Sequence, residues 1–183
     1  NDVTDLKLKQ LRRNIALVPQ EGYLFTETLT ENIRYGNPNA SISRVQESAY
    51  EARMTEDIKG FPDGFKTLVG DRGLTLRGGQ RQRTALRRAL LVNSKIIVLD
   101  DALASVDNKT ASAIVQTIKN QYNKTVLMIS HQLSAAASCD RILVMQEGRI
   151  VQEGTHKDLI MKDGLYKSMW EREKAKEQLH SDD

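Results

Sequence analysis

An α/β fold, a parallel sheet interrupted by a block of helices, is what this 183-residue sequence predicts. Apolar, strand-length runs at Ile15-Ala16-Leu17-Val18, 96–100, 125–130 and 141–145 carry the first part of that reading. Helical patterns at 108–122 and 132–137 separate the last three runs, which is the alternation that builds βαβ units. Residues 24–94, between the first and second runs, show mainly helical spacing. Finally, Gln20, Asp100-Asp101 and His131 each stand at the end of an apolar run. In open parallel sheets that carboxyl edge is where ligands bind.

The chain opens on Asn1 rather than methionine, and no helix or strand is clearly begun by Leu6, which reads as a cut end. Pro19 stops the first strand, and a loop carrying Tyr23 and Phe25 follows. From Ser43 to Met54 the positions of Val45, Ala49 and Ala52 predict a helix, with Ser43 and Gln46 placed as a capping box. Gly60-Phe61-Pro62-Asp63-Gly64 breaks it. After Val69-Gly70-Asp71-Arg72-Gly73, a helix from about Gly79 to Asn93 carries Ala85, Leu86, Ala89 and Leu90 on one stripe. Near the end, Glu147-Gly148 predicts a turn into an edge strand at Arg149-Ile150-Val151. Helices from Thr155 and from Leu165 close the chain, the last highly charged from Glu171 to Lys176.

A composition of 39% hydrophobic and 28% charged residues supports a packed core and excludes a disordered chain. The 27 basic and 24 acidic residues are spread along the sequence, so the net charge of +3 gives no reason to expect nucleic acid. The single Cys139 cannot form an internal disulfide, which fits a reducing compartment. No apolar run approaches the roughly 18 residues of a membrane span, and no signal peptide is visible. Any membrane link must come through a partner or through further sequence.

Two segments carry most of the chemistry. Leu76-Arg77-Gly78-Gly79-Gln80 opens the long helix, where unpaired backbone N–H groups favour an anion. Ile96-Ile97-Val98-Leu99 ends in Asp100-Asp101, hard oxygen ligands of the kind magnesium takes. Each has a plainer reading: Gly pairs usually mark loops, and Asp after a buried strand often makes a turn or helix cap. Arg81, Arg83, Arg87 and Arg88 fit a solvated helix face as well as a phosphate-binding stripe. His131 alone fits a satisfied polar residue, and Gln20 alone an ordinary loop residue. Their joint placement at strand ends favours a functional site. The sequence contains no G-x-x-x-x-G-K-[ST] phosphate loop.

The order of these motifs resembles the ATPase domain of ABC transporters, and more closely that of the exporters. Val18-Pro19-Gln20 resembles the Q-loop, Thr30-Glu31-Asn32-Ile33 the segment that follows it, and 67–73 the X-loop. Leu76 to Gln80 resembles the LSGGQ signature and 96–101 the Walker B strand. Residues 104–107 resemble the D-loop, and Ser130-His131 the switch histidine. The resemblance implies a RecA-like P-loop NTPase sheet, incomplete here because the opening strands and Walker A loop are absent. Residues 1–23 and 95–183 would form the RecA-like portion with its C-terminal helices, and 24–94 the inserted helical, signature-bearing subdomain.

It also implies ATP and Mg2+ as ligands, with two such domains facing head to tail. Arg77, Gly78, Gly79, Gln80, Ser105 and Asp107 would then contact nucleotide, and Asp100 and Gln20 would position magnesium. Asp101 would occupy the place of the catalytic base, with His131 and Gln20 completing the catalytic set. The Q-loop and X-loop would touch a transmembrane domain, placing the chain at the cytoplasmic face of a membrane. Two residues depart from the family pattern: Asp101 stands where the family has glutamate, and Arg77 where it has serine. A base one methylene short could cost about a hundredfold in rate. These changes predict a weakly hydrolytic ATPase in the full-length protein and an inactive isolated segment. An alternative is a regulatory, ATP-binding half of a heterodimeric transporter. A DNA-repair ATPase would need a coiled-coil insertion, which the short helical block argues against.

Overall fold

The computed structural model describes residues 2–51, 54–70 and 75–181. They form two compact units, 1–130 and 131–183.

The first unit is built on a parallel sheet in the order β1 (Ile15–Val18), β2 (Ile96–Asp100), β3 (Thr125–Ile129). Leu17 pairs with Val98 and Val98 with Leu127, so alternate residues of all three strands line up in rows. Period-2 geometry sends Ala16, Val18, Ile97 and Leu99 into the core. Ahead of β1 the sequence foresaw no structure, yet Val3–Asp5 forms a 3-10 turn and Leu8–Asn14 a helix, α1. The Asp2 carboxylate accepts the Thr4 N–H at 2.9 Å and starts that turn locally.

The segment between β1 and β2 is helical, as expected: α2 (Leu29–Arg34), α3 (Ile42–Glu51), α4 (Thr55–Lys59) and α5 (Gly78–Leu91). Leu24, Leu29, Ile33, Val45, Ala49, Met54 and Val69 gather into one core, with Phe61 and Phe65 packed against it. The cap of α3 is Ser41, whose Oγ accepts the Arg44 N–H at 3.2 Å, and not Ser43. The helix therefore begins one residue before Ser43, which lies inside its first turn. Ala52 and residues 71–74, including Asp71, Arg72 and Gly73 of the expected X-loop, lie outside the described residues. From β2 the chain runs into α6 (Asn108–Gln121), whose buried stripe is Ala111, Ile114, Val115 and Ile118, and returns as β3.

In the second unit α7 (Leu133–Ala136) precedes β4 (Ile142–Gln146) and β5 (Arg149–Gly154). The alternation of strands and helices placed 141–145 with the parallel sheet. Among the described residues β4 pairs instead with β5, antiparallel, through the predicted turn at Glu147-Gly148. Both turn residues have positive φ, 48° and 74°, the twist that a two-residue hairpin requires. Thr155 caps α8 (His156–Ile160), and α9 (Leu165–Ser181) follows. Leu133, Ile142, Val144, Leu159 and Tyr166 form this unit's core, against which Met169 and Trp170 pack.

Candidate nucleotide site

β1 and β2 are adjacent and parallel with Val18 opposite Leu99, so Gln20 and the Asp100-Asp101 pair leave the sheet at one edge. Asp100 is exposed as the last residue of β2. Asp101 turns sharply: its φ is 45°, in the left-handed region that short polar side chains tolerate best. Its N–H still donates to the Ile129 carbonyl at 2.9 Å, which anchors the turn to the neighbouring strand. The carboxylate Oδ1 is buried and has no hydrogen-bond partner among the described residues. A buried acceptor left unmatched costs on the order of 1–3 kcal/mol, so this oxygen is suited to take a donor such as a water.

From Asp101 the chain winds through two tight turns to Ser105, with Ala104 N–H donating to the Asp101 carbonyl at 3.1 Å and Val106 N–H to that of Leu103 at 2.9 Å. Ser105 lies against the start of α5. A Cβ at Gly79 would stand 2.8 Å from the Ser105 carbonyl, and one at Gly78 would be 3.2 Å from its Oγ. Gly79 is thus required for the close approach of Ser105, and Gly78 adds a tight contact with the same residue's side chain.

Arg77 is the N-cap of α5 and is exposed. Its N–H donates to Gln80 Oε1 at 2.9 Å, one half of a capping box. A guanidinium carries only donors, so it cannot return the bond to the Gln80 N–H. Gln80 also donates through Nε2 to Asp57 Oδ1 at 3.1 Å, and Arg83 pairs with the other oxygen of Asp57. The Gln80 side chain is therefore engaged by the protein itself.

Asp107 is the N-cap of α6, accepting the Thr110 N–H at 2.9 Å. That backbone N–H, helped by the Thr110 hydroxyl, holds the Asp107 carboxyl below the usual carboxylate range. Its contribution is to fix the exit of the loop. His131 is exposed and opens the second unit, two residues beyond the end of β3. Just after it, Glu173 on α9 accepts the Leu133 and Ser134 N–H groups at 3.0 and 3.1 Å and holds the start of α7.

Reading the sequence missed two polar groups. Asn32 is fully buried: it accepts the Phe25 N–H at 2.9 Å and donates to the carbonyls of Phe25, Glu27 and Thr28 at 3.0, 3.3 and 3.1 Å. Arg88, read as part of a solvated face or phosphate stripe, reaches the Asn32 carbonyl at 3.0 Å, Asn32 Oδ1 at 2.9 Å and the Tyr23 carbonyl at 2.7 Å. Its guanidinium also lies over the rings of Phe25 and Tyr35. Arg87 is fully buried and donates to the Tyr122 hydroxyl at 3.2 Å, so it too is internal. The second missed group, Gln82, is nearly buried: Nε2 donates to the Gln20 carbonyl at 3.4 Å and Oε1 accepts the Ser105 N–H at 2.9 Å. The available signal was its place on the same stripe as Ala85, Leu86 and Ala89, where a polar residue is out of pattern.

The glycine-rich start of α5 is thus set against the loop that leaves the carboxylate-bearing edge of a parallel sheet, within an α/β fold. Residues 1–104 match the sequence model of the ABC transporter family. The chain is 40% identical over 176 residues, 96% of its length, to the mitochondrial ABC transporter B family member 24 of Arabidopsis thaliana. It is 38% identical over 183 residues to the multidrug resistance-like ATP-binding protein MdlA of Buchnera aphidicola, covering 99% of this chain. The structure of a bacterial Atm1-family ABC exporter with ATP bound superposes on 94% of the chain with a TM-score of 0.87 and 38% identity. The chain belongs to the ABC transporter family, as a nucleotide-binding domain of the exporter kind with a RecA-like fold. It spans 26% and 32% of those two relatives and 31% of that structure's chain. No helix among the described residues is long and apolar enough to cross a membrane.

Proposed function

We propose that this chain binds and hydrolyses ATP to energise a membrane exporter, and that the site using its own Walker B strand turns over slowly. The observation that carries this reading is the buried Oδ1 of Asp101 at the carboxyl end of β2, without a hydrogen-bond partner among the described residues. An acceptor there is suited to orient a water and take its proton, the task of a general base. Asp100 and the Gln20 side chain are the oxygen donors that would hold magnesium. The hard oxygens fit, and such sites use one or two carboxylates together with phosphate oxygens. Magnesium, when bound, supplies charge neutralisation on the phosphates. His131 would face the γ-phosphate, while Gly78 and Gly79 would offer backbone N–H groups to nucleotide held by a second ATPase domain. The loop after Gln20 and the segment from Thr67 would meet a transmembrane domain at the cytoplasmic face.

The reduced rate follows from reach, since an aspartate stops about 1 Å short of a glutamate at the same backbone position. Asp101→Glu in the complete transporter is expected to raise ATP turnover by about tenfold to a hundredfold. Unchanged turnover would show that reach at this position is not limiting. A second reading, a regulatory half that holds ATP almost statically for an active partner, is favoured by Arg77 at the signature helix. Replacing the catalytic base in each half of the assembled transporter in turn separates the two: under the second reading only the partner's base matters.

A further inference from the structure

Gln82 joins two loops that the chemistry needs in register. It is 7% exposed, on the first turns of α5, and its two amide atoms point to different partners. Oε1 accepts the Ser105 N–H at 2.9 Å, while Nε2 donates to the Gln20 carbonyl at 3.4 Å. The loop from Asp101 to Ser105 is thus seated twice on one helix, on Gln82 and on the Gly78-Gly79 backbone. We propose that Gln82 is a positioning residue that ties the loop after β1 to the loop after β2, so that Gln20 and the Asp101–Ser105 turn move together.

Burying an amide on an otherwise apolar stripe costs free energy unless both of its ends are bonded. The amide offers an acceptor to the Ser105 N–H and a donor to the Gln20 carbonyl, as the two partners require. The two bonds are unequal. At 2.9 Å the Ser105 bond has ordinary length, whereas 3.4 Å lies beyond the usual N–H···O range. The Ser105 side is therefore the tighter anchor and the Gln20 side the weaker one.

The proposal rests on the ATPase reading above, so its test includes a readout that needs no hydrolysis. In the full-length transporter, Gln82→Met removes both bonds, and Gln82→Glu keeps the acceptor for Ser105 but loses the donor. For Gln82→Met, kcat is expected to fall about tenfold with the KM for ATP within about twofold, as for a lost orientation effect. Amide hydrogen exchange at Ser105 should speed up by about tenfold or more in the same variant. Gln82→Glu should retain the Ser105 protection while lowering kcat about threefold or more. Unchanged Ser105 exchange in Gln82→Met, or wild-type kcat in both variants, overturns the proposal. If Gln82→Met fails to assemble, Gln82→Glu decides alone, with wild-type kcat overturning the link. Absence of ATP turnover in the unmutated transporter would instead overturn the ATPase reading and leave the exchange rate to judge Gln82.

Discussion

Asp101 and Arg77 each combine a local backbone demand with a chemical one. At Asp101 the left-handed φ of 45° favours a short polar side chain, whereas reach toward a water favours a longer one. The Asp101→Glu exchange that speeds turnover should therefore also cost about 1 kcal/mol of stability, which a denaturation midpoint would register. Arg77 breaks a capping box whose other half is already made by Gln80. Arg77→Ser supplies the missing acceptor for the Gln80 N–H and removes a cation from the positive end of α5. Stability should rise by about 1 kcal/mol, or roughly 2–4 °C in Tm for a domain of this size. The same exchange should change ATP affinity or hydrolysis at the partner's site; if neither moves, Arg77 has no part in the chemistry.

Among the elements, α5 ties the others together. Its first turn meets Ser105, Gln82 reaches Gln20, and Arg88 holds α2 and the loop before it through Asn32. Arg88 supplies donors to the Asn32 and Tyr23 carbonyls, and Asn32 adds a second donor to the carbonyls of Phe25, Glu27 and Thr28, which also accept backbone N–H groups. Asn32→Ala should destabilise the fold by about 2 kcal/mol, read as a lower urea midpoint, because the Phe25 N–H and one N–H of the Arg88 guanidinium lose their acceptor. Arg88→Lys should recover little of the arginine's contribution, since a single ammonium cannot span the Tyr23 carbonyl, the Asn32 carbonyl and Asn32 Oδ1.

On the scale of the whole molecule, the parallel sheet is covered unevenly. Leu17 is 59% exposed, Leu127 54% and Ile129 49%, all on one face of the register, whereas parallel sheets normally bury both faces. The sequence also lacks a G-x-x-x-x-G-K-[ST] cradle for the phosphates. The isolated 183-residue chain is therefore expected to show no ATP turnover above background in a phosphate-release assay. Measurable turnover would mean that the signature and Walker B elements suffice alone.

Much of this architecture was legible without coordinates. Strong apolar runs announce β1, β2 and β3, and Glu147-Gly148 announces its hairpin, because period and turn chemistry are local properties. Helix α1 was missed because it buries no residue, and α2, inside the expected helical block, was given no bounds of its own because it is short and held by the distant Arg88. That Ile142–Gln146 pairs with β5 and, among the described residues, not with the parallel sheet was beyond reach, since an apolar run does not show which sheet it joins. The sequence by itself determined the α/β class, the family and the residues at the strand ends. Only the tertiary structure decided that Gln80 and Asp107 spend their side chains on helix starts, that Arg87 and Arg88 are internal, and that Gln82 links Gln20 to Ser105. A hydrogen bond between residues 62 positions apart depends on how helices pack, and one-dimensional patterns do not encode that distance.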